Sequence, residues 1–431
     1  MRFDNRMHSP KRIAVIGGGI SGMGAAYLLS KANDVVLFES EKRLGGHART
    51  VIAGKNGDQP VDTGFIVFNK PNYPNLNSLF ADLDVDIVKS NMTFGASFEG
   101  GKLEYGLASL NSVFAQRQNV FRPKFLRMLK DITRFNSRAE TLSKGSKMTI
   151  EELLKTVGTS SWFRDYYLFP LTGAIWSMPV QQMESFPAEA LIKFMKNHAL
   201  LSLTGQHQWL TIKGGSIKYV ESLAKKMKSQ NVDIRLGSEI KKVSRQNNKV
   251  QVHVVSGLEE EFDEVVFATH ADDTLRLLAE PSEEERKSLG AIHYQSNDAV
   301  LHADQSLMPN TKRVWSSWVY SENEDKSSKK IDLTYWMNSL QPIPKKDPIF
   351  VTLNSSRDIK QELIYDSVVF RHPVYDLGTL SAQEKIKEIN GQNKTWFCGA
   401  WIKNGFHEDG YSSAIDVATK FMSGTEEVMA V

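Results

Sequence analysis

Cysteine is almost missing from this chain: Cys398 is the single one in 431 residues. One thiol forms neither an internal disulfide nor a cysteine cage for a metal, and it points to a reducing, cytoplasmic compartment. Long apolar runs are missing as well. No stretch approaches the roughly 18 residues that a membrane-spanning helix needs, and Met1 to Arg12 lacks the apolar segment of a signal peptide. The expected protein stays in water or touches a bilayer from its surface. Charge of one sign is scarce too, since 53 Lys and Arg face 50 Asp and Glu. That balance argues against a nucleic-acid binder. What is present is ordinary globular composition, in a chain too long for one core, so two domains are expected.

The first informative stretch is at the start. Arg12 to Ile16 reads as a buried parallel strand leading into Gly17-Gly18-Gly19-Ile20-Ser21-Gly22, and Met23 to Leu29 is helical in composition. Gly17 suits a tight turn, Gly19 lets a pyrophosphate approach the backbone, and Gly22 lets the helix pack on the strand. The helix N-terminus at Ile20 and Ser21 offers free N–H groups and a positive dipole end to phosphates. A second strand, Val35 to Phe38, ends in Glu39, 22 residues after Gly17. An acid there accepts hydrogen bonds from ribose hydroxyls and repels a 2′-phosphate, which disfavours NADP. Strand, glycines, helix, strand and acid in register specify a dinucleotide. They do not choose between FAD and NAD.

Arg43-Leu44-Gly45-Gly46-His47-Ala48-Arg49-Thr50 follows the acid, and then Val61-Asp62-Thr63-Gly64-Phe65. These segments resemble the amine oxidase, phytoene desaturase and protoporphyrinogen oxidase superfamily of flavoproteins. The resemblance implies non-covalent FAD and an α/β (α+β overall) fold, with a Rossmann-like FAD domain and an inserted, discontinuous substrate domain. It assigns 1–90, 205–290 and 391–431 to the first and 91–204 and 291–390 to the second. The implied cofactor contacts are Gly17, Gly19, Ile20, Ser21, Gly22, Glu39, Ser40, Arg43, Gly45, Gly46, Thr63, Gly64 and Phe65. The superfamily has arginine after the Gly pair; here His47 stands there and Arg49 two further on, leaving open which touches the pyrophosphate. Trp209 to Ser216 resembles the return to the FAD domain, and Glu239 to Val243 the adenine-holding segment, with Val243 in the contacting place. At the far end come Gly399 and Ala400, then Asp409, Gly410 and Tyr411. There the superfamily's final helix aims its positive end at the flavin pyrimidine ring.

Pro170 to Ser177, Asn197 to Leu201 and Gly405 to Gly410 resemble one bacterial branch, encoded beside cyclopropane-fatty-acyl-phospholipid synthases. It includes desaturases of methylated acyl chains in furan fatty acid formation. The resemblance implies desaturation of a fatty-acyl chain of a phospholipid, with hydride passing to flavin N5. The alternatives are an amine oxidase acting on a soluble amine and a redox-neutral or non-catalytic flavoprotein. Amine oxidases commonly place a lysine near flavin N5 in the strand that corresponds to Ala291 to His302, and this stretch has none. The electron acceptor is left unspecified.

Four further features are ambiguous as sequence. Arg117 to Arg138 carries seven basic residues, one acid and Phe121, Phe125, Met128, Leu129, Ile132 and Phe135 at helical spacing. It is either a helix lying on an anionic bilayer or an ordinary surface helix. His407, three before Gly410, is the first candidate for a base, or it only holds the loop. His198 is the second, with a buried hydrogen-bonding role as the plainer reading. Trp176, Trp209, Trp315, Trp318 and Trp336 line a channel or fill a core, while Glu408 and Asp409 organise the loop. Ser321 to Lys330 reads as a solvated loop.

Overall fold

A computed structural model describes residues 9–176, 180–202, 206–322 and 331–427. The polar run from 323 to 330 and the side chain of Trp176 therefore lie outside the described residues. In β1 (Arg12–Ile16), Ile13 and Val15 face one core, and Ala14 and Ile16 face another. That is the two-residue period of a strand buried on both faces. β1 pairs in parallel with β2 (Asp34–Phe38) on one side and with Glu264–Phe267 on the other. Asp233–Arg235 adds beyond β2, and Thr395–Phe397 adds beyond Glu264–Phe267. The result is a five-stranded parallel sheet.

α1 (Ile20–Leu29) and the final helix, His407–Glu427, cover one face of this sheet through Met23, Ala26, Leu29, Ala414, Val417 and Phe421. The antiparallel meander Ile240–Gln246, Lys249–Val254 and Glu259–Phe262 covers the other. Because all five strands run the same way, their C-terminal ends bring Gly17, Glu39, Ala268 and Gly399 to one edge of the sheet. β1 has its successor β2 on one flank and Glu264–Phe267 on the other, which makes this edge a topological switch point, the usual place for a ligand.

The second lobe is a seven-stranded sheet in the order Ile364–Pro373, Tyr294–His302, Phe350–Leu353, Asp332–Trp336, Trp318–Ser321, Phe94–Phe98, Leu103–Gly106. Both inserts supply strands, and they join at a parallel pair, Trp318–Ser321 beside Phe94–Phe98. Helix Leu377–Ile389, expected in the second insert, belongs in packing terms to the nucleotide lobe. Its Ala382, Ile386 and Ile389 share a core with Phe397 and Trp401.

In helix Pro123–Ser143 most of the apolar stripe faces the protein. Phe125, Met128, Ile132 and Phe135 are buried in the second lobe, and the Phe125 ring meets Tyr105 edge-on at 5.7 Å. Burying each of those side chains contributes about 1.5–3 kcal/mol, so the stripe serves the core. Of the tryptophans, Trp315 packs edge-on against Trp336 at 5.5 Å and on Phe350, in a small satellite core. Trp318 meets Tyr335 at 5.2 Å.

Two buried ion sites lock these layers. Arg245 holds Glu285 through two contacts of 2.5 and 2.9 Å and also bonds Glu280 O and Thr395 Oγ1, joining meander, helix and sheet edge. Asp62, 1% exposed, accepts hydrogen bonds from Thr50 Oγ1 (2.6 Å), Ser216 N (2.9 Å), Ser216 Oγ (2.7 Å) and Gln341 Nε2 (2.9 Å). Burial raises its carboxyl from 3.8 to about 6, although all these hydrogen bonds pull the other way.

Arg245→Ala is expected to destabilise the protein by about 3 kcal/mol in urea unfolding, since it strands a buried carboxylate. Adding Glu285→Gln should recover part of the loss, and a change within ~0.5 kcal/mol would refute the assignment. For Asp62, the folded value lies above the unfolded one, so its contribution is complete below about 3.8 and is lost as pH rises through about 6. Wild type should therefore lose stability relative to Asp62→Asn between about pH 4 and about pH 7. Parallel pH profiles would show that Asp62 does not titrate this way.

Candidate cofactor site

Gly19 and Gly45, 26 residues apart in the chain, are brought face to face. Gly17 has φ +107° and donates to Phe38 O at 2.8 Å, closing the turn between β1 and β2. A Cβ on Gly22 would stand 1.8 Å from Gly17 O, so only glycine lets α1 begin there. Gly45 N donates to Gly18 O at 2.8 Å, and Gly19 lies opposite Gly45 and Gly46 with no side chain between them. α1 has no side-chain cap and no acid in its first turn. Its leading N–H groups, beside Ile20 and Ser21, are thus left for an anion.

Glu39 is held at this turn. Its Oε2 accepts from Gly18 N at 2.6 Å, and its Oε1 accepts from Glu41 N at 2.7 Å and from the exposed Ser40 at 3.2 Å. Arg43 spends its donors on the glycine loop, bonding Gly46 O at 2.9 Å and Ala48 O at 3.3 Å. Arg49 pairs with Asp366 across the lobes at 2.5 Å, so its guanidinium is engaged away from the turn. Val243 departs from expectation. Its side chain is fully buried in the meander core and its carbonyl accepts from Ala279 N, while Gly237 and Ser238 reach Glu41 and Glu39 through their N–H groups.

Two short segments run side by side past the turn: Thr63 N donates to Arg49 O at 2.9 Å and Phe65 N to His47 O at 3.0 Å. A Cβ on Gly64 would meet His47 O at 2.0 Å. This pairing sets Phe65 flat against His407, with ring centroids 3.9 Å apart and planes 10° apart. His407 Nε2 is bonded to Tyr219 Oη at 2.6 Å. Burial lowers the His407 imidazole to about 3, helped by the nearby His47. One nitrogen and one face of His407 are thus engaged within the protein. His198 bonds Phe194 O through Nδ1 at 3.0 Å, closes helix Ala188–Asn197 and stacks on Phe194 at 3.9 Å.

The opposite wall comes from the final helix. A Cβ on Gly410 would lie 2.9 Å from both Ile20 Cγ2 and Ser21 Oγ, so the starts of α1 and this helix touch. Tyr411 packs its ring over Gly24 of α1. Gly399 donates to Ser413 Oγ at 2.9 Å, and the carbonyl of Ala400 accepts from Gly405 N at 3.1 Å. Glu408 turns outward to accept from Asn75 N, Asn75 Nδ2 and Leu76 N at 2.7–3.0 Å, while Asp409 accepts from Phe406 N at 3.0 Å.

Sequence reasoning missed the histidines that close the site. His270 follows the Glu264–Phe267 strand and stacks on Tyr294 at 4.4 Å, and its ring is 5.8 Å from His47. His372 lies 5.6 Å from His47 and takes a hydrogen bond from Asn297 Nδ2 on its Nδ1 at 3.0 Å, which places its proton on Nε2. Burial lowers His47 to about 4, and His270 and His372 to about 3. All three are neutral at physiological pH. The acids next to His270, Asp272 and Asp273, are paired with Arg371. His270 stands just past a parallel strand's C-terminal end, and that position was the available signal. His372, on an insert strand, gave none.

The residues present fit a flavin dinucleotide. The glycine cradle and the uncapped α1 supply N–H groups. His47 adds a buried Nε2 with no hydrogen-bond partner, while its other nitrogen bonds the Arg371 backbone. A ligand donor is what such an orphaned atom lacks.

The family of flavin containing amine oxidoreductases matches residues 20–407. Curated relatives match over short stretches: an L-amino acid oxidase of Cerastes cerastes is 44% identical over 43 residues, 10% of this chain and 8% of that one. Protoporphyrinogen oxidase 2 of Arabidopsis thaliana is 49% identical over 45 residues, 10% of this chain and 9% of that one. The matched stretches thus span a tenth or less of those relatives' lengths. Solved structures agree over 96% of this chain. A fatty acid isomerase from P. acnes superposes with a TM-score of 0.69 at 15% identity, covering 96% of this chain and 100% of that one. Cyclohexylamine oxidase from Brevibacterium oxydans gives 0.66 at 13%, with the same coverage. At such identities the likeness establishes the fold. This chain belongs to the flavin containing amine oxidoreductase family.

Proposed function

We propose that this enzyme oxidises carbon in an apolar substrate, a methylated fatty-acyl chain of a phospholipid, leaving a double bond. FAD bound in the cradle supplies the acceptor for hydride, at flavin N5. The observation that carries the reading is the neutrality of the lining. Tyr294–His302 has no lysine, and the rings at the site are His47, His270, His372, Phe65 and Phe370, with every imidazole uncharged.

A protonated amine would want a free carboxylate. Asp62, Glu408 and Asp409 already accept hydrogen bonds within the protein, and Asp272 and Asp273 face Arg371. An acyl chain needs no counter-charge, and burial of its methylenes contributes about 0.8 kcal/mol each. The fatty acid isomerase of similar fold lends support from a neighbour named for an acyl substrate. Desaturation also releases a proton. That proton leaves to water at the cleft, and the Nε2–H of His372, fixed by Asn297, is a hydrogen-bond donor at the site.

Anaerobic mixing with phospholipid carrying methylated, unsaturated acyl chains is expected to bleach the visible flavin band, and putrescine or cyclohexylamine to leave it unchanged. Bleaching by amines alone sinks the lipid reading. A shifted double bond without bleaching would instead indicate redox-neutral isomerisation. Titrating apoprotein with FAD checks the site separately: His47→Phe should weaken binding about tenfold, since it removes one buried acceptor. An unchanged Kd would put His47 outside the cofactor's reach.

A further inference from the structure

The two most exposed large apolar side chains among the described residues fall within twelve residues of each other, in the second lobe. Phe121 is 86% exposed and Leu110 79%, and Val120 and Leu126 add 44% and 43%. Leu110 opens the short helix Leu110–Val113, Val120 and Phe121 end the 3-10 turn Arg117–Phe121, and Leu126 is in the first turn of Pro123–Ser143. Hydrogen bonds anchor this stretch. Arg117 ties it together by bonding Asn111 Oδ1 at 2.7 Å and Phe114 O at 3.0 Å. Asn119 is fully buried beneath it, and Arg122 bonds Lys102 O at 3.2 Å.

The charge around these four residues is of one sign. From Tyr105 to Lys130 the chain has Arg117, Arg122, Lys124, Arg127 and Lys130 and no acid. None of the five forms a salt bridge among the described residues. The flanking acids are withdrawn: Glu104 is buried and accepts from Asn310 N and Thr311 N, and Asp131 is buried and accepts from Ser160 N.

Single exposed apolar residues need no explanation. Four between residues 110 and 126, on a stretch with five cations and no acid, mark an interface. A second copy docking by two-fold symmetry would set five cations against themselves. An anionic bilayer complements both features at once, with headgroups meeting the cations and apolar tips entering the headgroup–acyl boundary.

We propose that this stretch docks the protein on an anionic lipid surface, with Phe121 and Leu110 inserted and Arg117, Arg122, Lys124, Arg127 and Lys130 on the headgroups. The inference goes beyond the proposed reaction and stands whichever substrate is oxidised.

The test uses the full flavoprotein in cosedimentation with phosphatidylcholine vesicles and with vesicles enriched in phosphatidylglycerol. Binding is expected only to the anionic set. Charge removal at Lys124 and Arg127 (Lys124→Gln, Arg127→Gln) should lower the partition coefficient roughly fivefold per residue. Phe121→Ser with Leu110→Ser should lower it at least about tenfold. Phe121→Trp should gain fluorescence that brominated acyl chains quench, beyond the wild-type signal. The flavin spectrum and melting temperature of each variant report folding independently. Equal binding to neutral and anionic vesicles, no binding by wild type, or no change in either variant set overturns the proposal. So does a dimer that depends on Phe121 and forms without vesicle binding.

Discussion

Asp62 sits buried where three stretches of chain meet. Thr50 belongs to the hairpin after the glycine loop, Ser216 to the turn before helix Ile217–Ser229, and Gln341 to the second insert. A carboxylate at such a depth is tolerated only with its acceptor positions filled, so the three partners have to arrive together. The next residues inherit that placement. Thr63 and Phe65 pair with Arg49 and His47, and the Phe65 ring then fixes where His407 lies. The walls of the cleft on both lobes are therefore referenced to one side chain.

The same economy of charge governs the interior. The imidazoles near the glycine turn are held neutral by burial, and nearby acids are occupied by backbone N–H groups or by arginine. In a medium of low effective dielectric, a stray charge would act strongly on a redox centre. What gathers at the glycine turn is an uncapped helix start with its N–H groups and, beside it, imidazole rings held neutral.

Legibility followed sequence distance. β1, the glycine turn, α1, β2 and Glu39 form one local unit, and spacing alone displayed it. The fold class came from the same unit and from the Gly45-Gly46 resemblance. Side-chain partners set by tertiary contact stayed hidden. Tyr219 is 188 residues from the His407 it engages, and Asn75 is 333 from Glu408. Neither spacing nor residue type says that those groups are already taken. The Pro123–Ser143 stripe stayed ambiguous for a related reason, because helical periodicity shows that a face is apolar but not what it meets. Phe121, one of the same apolar set, falls before the helix begins and so escapes the core that absorbs the others.

The interleaving of the two lobes also sets an order on synthesis. β1 is complete at residue 16, yet one of its neighbours begins at Glu264 and the sheet edge only at Thr395. Phe94–Phe98 likewise waits for Trp318–Ser321. Early strands therefore leave the ribosome long before their partners exist, with open edges that invite wrong pairing. Contacts this remote make for slow closure, and they give a holdase or a cofactor bound early at the glycine turn a physical reason to matter during folding. The nascent chain's most vulnerable interval ends only as the last strand, Thr395–Phe397, emerges.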